Sequence, residues 1–236
     1  MSDDNIVLSA LGIHRVFPSG GRELHILKGI DIELKKGEFI SLLGPSGSGK
    51  STLLHILAGL DTPTDGRVFW AGVDIFSVRD AQRSRMRNRK IGFVFQFHHL
   101  FPELTAIENV MLPLLIRGEK QDKVRKSAMG LLHRFGLDER AGHFPSQLSG
   151  GEAQRVAVAR AIITEPVILL ADEPSGNLDS ENKEVLHSML AEINAQFGTT
   201  MLIATHNMEL AAITRRILYL KDGRVEERQQ AGKIPV

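Results

Sequence analysis

A chain of 236 residues with 42% hydrophobic residues, 24% charged residues and a formal net charge of +1 has the make-up of an ordinary globular protein. That excludes a fibre, a low-complexity scaffold and a chain drawn to nucleic acid by a strong overall positive field. Cysteine is absent, so disulfide staples and thiolate metal sites are excluded, and a reducing compartment fits. Residues 1–5 are polar and acidic, without the apolar stretch of a secretory signal, and no run approaches the ~18 apolar residues a membrane span needs. Any association with a membrane is therefore expected to run through a partner.

The length allows one domain or two small ones, and the element pattern favours one α/β domain with an inserted helical lobe. Strands are expected at residues 6–11 and 30–34, with the turn formers Pro18, Ser19, Gly20 and Gly21 between them. Residues 38–43 form a nearly continuous apolar run, as suits a parallel strand buried on both faces. After Gly49 the period becomes helical, with Leu53, Leu54, Leu57 and Leu60 on one side. Strands are expected again at 67–70 and 91–95. Between them Arg79, Arg83, Arg85, Arg87, Arg89 and Lys90 read as a solvated stretch. A mostly helical lobe is expected over about 97–149, set into a core formed by about 1–95 and 150–228. Within that core, helices at 150–164 and 181–197 alternate with strands at 167–171 and 200–204, and a pair near 217–220 and 224–227 closes the chain. The tail at 229–236 reads as loosely held.

Gly44, Pro45, Ser46, Gly47, Ser48, Gly49, Lys50 and Ser51 match the phosphate-loop pattern in full and stand between a buried strand and a helix, as that pattern requires. Glycines let backbone N–H groups converge on phosphate oxygens, and the helix N-terminus adds its positive end. Lys50 would place a charge at the β and γ phosphates, and Ser51 a hydroxyl at Mg²⁺. Further on, the apolar run 167–171 ends in Asp172 and Glu173, where the strands of α/β sheets meet their ligands. Because side chains alternate along a strand, the two acids are expected to point differently: Asp172 to the Mg²⁺ shell, Glu173 to the attacking water. Leu148, Ser149, Gly150, Gly151 and Glu152 open a second Gly-rich helix. From the residues alone, that helix start either binds a second anion or completes a neighbour's site in a dimer.

The ordered set of Gly44 to Thr52, Gln96, Leu148 to Glu152, Val167 to Glu173, Asn177 to Asp179 and His206 resembles the ATP-binding-cassette family over nearly the whole chain. The resemblance implies a P-loop NTPase core with an antiparallel β-subdomain and an inserted helical subdomain. It also implies a head-to-tail homodimer holding ATP and Mg²⁺, each nucleotide lying between one protomer's phosphate loop, through Thr52, and the other's Ser149, Gly150, Gly151 and Glu152. By the same resemblance Gln96 contacts Mg²⁺ or the attacking water, Asp179 crosses the dimer interface, His206 meets the γ-phosphate and Phe17 stacks on adenine. Glu152 and Asn207 replace the family's commoner Gln and Asp, while the core set is otherwise intact, as in an active ATPase.

The apolar loop from Phe93 through Gln96, Phe97, His98, His99 and Leu100 to Pro102, together with Ser175 to Asp179, resembles the cassettes that serve lipoprotein release, macrolide efflux and cell division. An exposed apolar loop marks a docking site. The resemblance implies two membrane permease subunits as partners, a peripheral place on the cytoplasmic face of a bacterial inner membrane, and no nucleic-acid partner. Lipoprotein release is the favoured reading. A division ATPase, an efflux ATPase and a soluble cassette acting on DNA or ribosomes remain the alternatives.

Overall fold

The computed structural model describes residues 5–228; the tail expected to be loosely held lies outside them. The chain opens with a hairpin of β1 (Ile6–Ser19) and β2 (Arg22–Lys35), each 14 residues long. The sequence predicted only short pieces of these strands. Register shifts between Ala10 and Ile13 and between Arg15 and Val16 interrupt the two-residue alternation, so only the regular stretches are legible as strand. With β4 (Asp65–Trp70) and β5 (Val73–Asp74) the hairpin makes an antiparallel sheet in the order β2-β1-β4-β5.

The second sheet contains β3 (Phe39–Leu43), β6 (Ile91–Val94), β7 (Ile168–Asp172), β8 (Thr200–Ala204), β9 (Arg216–Lys221) and β10 (Arg224–Arg228), in the order β10-β9-β3-β8-β7-β6. All neighbours are parallel except the closing pair β9 and β10. The helices are α1 (Lys50–Leu57), α2 (Asp80–Lys90), α3 (Ala106–Ile116), α4 (Gln121–Arg134), α5 (Gly150–Ile162), α6 (Ser180–Phe197) and the short α7 (Met208–Ala212). The basic stretch is α2, on which no residue is buried. Without an apolar face it offers no 3.6-residue period to read.

Two hydrophobic cores lie on the two faces of the parallel sheet. Ile168, Leu170, Leu202 and Ala204 belong to the one shared with α1 and the antiparallel sheet. Their neighbours Leu169, Ala171, Met201 and Ile203 belong to the other, shared with α3, α4, α5 and α6. Burial on both faces is why these strands read as unbroken apolar runs. The indole of Trp70 donates to the carbonyl of Leu57 across 2.9 Å, tying the end of α1 to the antiparallel sheet. Between β6 and α5 the described elements are α3, α4 and two single 3₁₀ turns. Thr105 and Glu108 start α3 with reciprocal backbone bonds, which satisfy two of its orphan donors.

Candidate functional site

Four neighbouring strands in the order β3-β8-β7-β6 end on one edge, and the segment that follows each carries one part of the predicted site. Neighbouring strands lie ~4.8 Å apart, so four adjacent ends span only ~15 Å. The phosphate loop follows β3, His206 follows β8, Glu173 follows β7 and Gln96 follows β6. These segments line one cavity of about 490 Å³: Ser46, Gly47, Gly49, Lys50, Ser51 and Thr52 from the loop and α1, with Gln96, Glu173 and His206, and Ile26 from β2. A larger cavity, about 720 Å³, lies at the opposite ends of β7 and β8 beside Val167 and Thr199 and contains none of these groups.

Gly49 is where the loop turns into α1. Its φ of 102° is left-handed, and a Cβ there would come within 2.8 Å of Ile26 and 2.9 Å of Leu27, so a side chain would be both strained and crowded. The Lys50 ammonium is buried, donates to the carbonyls of Gly44 at 2.9 Å and Pro45 at 3.2 Å, and lies 3.9 Å from Oε1 of Glu173. Glu173 has left the strand: its φ of 44° is left-handed. Such a backbone costs of order 1–3 kcal/mol and persists where the surroundings fix it. Here the Glu173 amide donates to Ala204 at 2.8 Å and its carbonyl accepts from Gly176 at 3.0 Å. Its Oε2 lies 2.9 Å from His206 Nδ1 and accepts from the His206 amide at 3.3 Å. The carboxylate thus spans from Lys50 to His206.

Asp172, the last residue of β7, is 7% exposed. Burial raises its pKa, opposed by the Ser51 hydroxyl and by His55. Its Oδ1 and the hydroxyl of Ser48 are both buried without a hydrogen-bond partner. Orphaned oxygens of this kind cost free energy unless a cation or water meets them. Among the described residues no three His, Asp or Glu side chains cluster as a metal cage. One carboxylate beside a serine hydroxyl is the sparse donor set that Mg²⁺ uses when substrate phosphates and water complete its shell, so the residues fit that ion.

The second Gly-rich start lies outside the cavity. Ser149 caps α5, accepting from the Glu152 amide at 3.2 Å, while Glu152 accepts from the Ser149 amide at 2.8 Å. Ser149 and Gly150 are exposed and Gly151 is buried; a Cβ on Gly151 would collide with the Asn182 side-chain amide. The Arg140 guanidinium lies 2.8 Å from Glu152 and, with the Ser149 backbone, holds the Glu152 pKa down to about 2. Asp179 is exposed and caps α6 by accepting from the Asn182 amide at 2.8 Å. Phe17 is on β1 opposite Leu24, its ring covered by the Arg15 guanidinium at 4.4 Å; it is not among the cavity's lining residues. Ile26, which does line the cavity, was not predicted: it belongs to no motif, and only the hairpin's fold brings it there.

A parallel sheet whose carboxyl edge gathers a phosphate loop, two acids, a glutamine and a histidine, with an antiparallel sheet on one face and helices on the other, defines a P-loop nucleotide-hydrolysing cassette. The ABC transporter family profile matches residues 27–176; the chain belongs to that family and is one of its ATP-hydrolysing subunits. It is 46% identical over 223 residues to the lipoprotein-releasing system ATP-binding protein LolD of Alcanivorax borkumensis, covering 94% of this chain and 98% of that one. With LolD of Bacteroides fragilis it shares 49% identity over 214 residues, covering 91% and 97%. Among solved structures, the dimeric bacterial ABC transporter cassette MJ0796 superposes with a TM-score of 0.89 at 40% identity, covering 96% of this chain and all of that one. The same cassette has been solved as a dimer in a post-hydrolysis state bound to ADP and Pi, with the same similarity.

Proposed function

We propose that this chain hydrolyses ATP as a homodimer beneath two permease subunits, peripheral to the cytoplasmic face of an inner membrane, and that the work released frees lipoproteins from that membrane. The observation that carries the ATPase half is the Glu173 carboxylate bridging Lys50 and His206 beside the phosphate loop. The phosphates lie against the backbone N–H groups of the loop and Lys50. Glu173 accepts a proton from water aligned with the γ-phosphate, His206 holds Glu173 in that orientation, and Lys50 offsets the charge that develops on the transferred group. Ser51, Asp172 and Gln96 are the side chains that would hold Mg²⁺, which would offset the negative charge of the phosphates when bound. Phe17, half-buried on the hairpin that also carries Ile26, is the aromatic for adenine.

The exposed positions of Ser149, Gly150 and Asp179 support the dimer reading: all three lie outside the cavity lined by Lys50, Glu173 and His206. In the dimer Ser149, Gly150, Gly151 and Glu152 close over the other copy's nucleotide, and Asp179 lies at the junction. The permeases dock on the loop after β6. Phe97 and Phe101 there are 61% and 50% exposed, beside a groove of about 370 Å³ that includes Phe93, Phe95 and Leu60. Release of lipoproteins rests on the likeness to LolD across more than nine-tenths of each chain. Among the described residues no helix is long and apolar enough to cross a membrane.

Purifying Glu173→Gln from its native membrane in mild detergent with ATP and Mg²⁺ tests this reading. Two related permease subunits with a trapped lipoprotein are expected by mass spectrometry. A division protein in their place, or a dimer without membrane partners, would overturn the lipoprotein assignment and leave the ATPase standing.

A further inference from the structure

Helix α5 is capped by Ser149, and its body touches the loop that carries Gln96 at three backbone points. Gln154 is 2% exposed, between Ala153 and Arg155 and ahead of the buried Val156, Ala157, Val158 and Ala159. Its Nε2 donates to the carbonyl of Phe95 at 3.1 Å, one residue before Gln96. Just under two turns on, Arg160 donates from Nη2 to His98 at 2.8 Å and from Nη1 to His99 at 2.7 Å. The two side chains thus grip the backbone on both sides of Gln96 and Phe97, and His99 has a left-handed φ of 43° that a free loop would not keep. The helix also presses on the preceding strand: a Cβ on Gly92 would lie 2.5 Å from the carbonyl of Ala161. At its other end α5 is tied to the start of α6, since Arg155 donates to Asn182 at 3.1 Å and Asn182 in turn holds both oxygens of Asp179.

We propose that Gln154 and Arg160 are positioning residues for ATP hydrolysis: they clamp the Gln96 loop to the helix whose first turn closes the other copy's site. The proposal rests on the dimer reading above. A 13-residue helix is a rigid rod ~20 Å long, whereas a loop holds its place only through such contacts. A shift of the Ser149 turn as it meets the second nucleotide is therefore carried to Gln96 and to the Phe97–Phe101 surface instead of being absorbed in the loop. At 2% exposure Gln154 is costly to leave unpaired, and its Nε2 bond goes to the loop. Phe101, at the loop's far end, is held separately by Asn109 of α3, so the α5 bonds govern the part nearest the cavity.

Gln154→Met removes the donor at nearly constant volume, and Arg160→Lys keeps the charge but cannot hold both carbonyls. Steady-state ATPase and amide hydrogen exchange would be measured on each full-length variant, alone and in a Gln96→Ala background. We expect kcat to fall about tenfold with KM for ATP within about twofold, a loss that disappears when Gln96 is already absent, as coupled residues require. Exchange of the amides at residues 96–100 should quicken by about tenfold while those of α5 are unchanged. An equal fold-loss in both backgrounds, or unchanged exchange at 96–100, overturns the clamp. Gln96→Ala with unchanged kcat would instead overturn the role of Gln96 itself, and Ser149→Asp with unchanged kcat the dimer reading; the exchange data decide on the clamp in either case.

Discussion

The two Gly-rich helix starts of this chain, at Gly49 and at Ser149, differ in what surrounds them. Around the first, three other strand ends deliver Gln96, Glu173 and His206 to a shared cavity. Around the second, the chain supplies only its own scaffolding: Glu152 and Arg140 lock the turn, and Asn182 fills the space over Gly151. A helix start whose backbone is this firmly fixed, yet which faces outward, is prepared for a group on another molecule. The difference accords with the proposal that one half of the site is assembled within the chain and the other half between copies.

Glu173→Gln breaks the first half most severely. The amide cannot take a proton from water, so kcat should fall by about 10²–10⁴-fold, while ATP binding, which rests on Lys50 and the loop, should stay within a few-fold. Steady-state turnover and equilibrium nucleotide binding separate the two effects. Comparable losses in both would mean that Glu173 builds the site and performs no step in it.

The smallest effect expected is at the second start. Glu152 has a usual value of 4.5 and is held at about 2 in the fold, chiefly by the Arg140 guanidinium. Its folded pKa is depressed, so its ionised form adds stability that is present above about pH 4.5 and is lost as pH falls from there toward about 2. Glu152→Gln keeps the capping geometry and removes the charge. Thermal melts should show a modestly lower Tm for the variant at pH 7, modest because Arg140 is open to solvent, and no difference near pH 2. A gap that persists at pH 2 would show that shape, and not charge, holds this turn.

How far the sequence foretold these regions depends on where each contact lies along the chain. The phosphate loop and the paired acids were legible because their chemistry is written in consecutive residues whose spacing the backbone enforces. The buried strands were legible as apolar runs. The full length of the β1–β2 hairpin was not, because bulges break its alternation, and α2 was not, because it buries nothing. The contacts of Ile26, Gln154, Arg160 and Asn182 were not legible for a different reason. Each acts on a carbonyl, a glycine or a cavity edge brought near by tertiary packing, and no spacing in the sequence marks such a meeting.

The central claim, that each nucleotide lies between the phosphate loop of one copy and the Ser149 turn of another, is tested most directly by mixing two inactive chains. Lys50→Ala disables the phosphate loop. Ser149→Asp keeps a good cap for α5 but sets a negative charge where the other copy's γ-phosphate would lie. Neither homodimer should turn over ATP. In an equal mixture with free exchange of subunits, half the dimers pair the two variants and one of their two sites is intact, so activity should return to about a quarter of that of the unaltered protein. A mixture no more active than its parts would contradict the shared site and place the whole reaction within one chain.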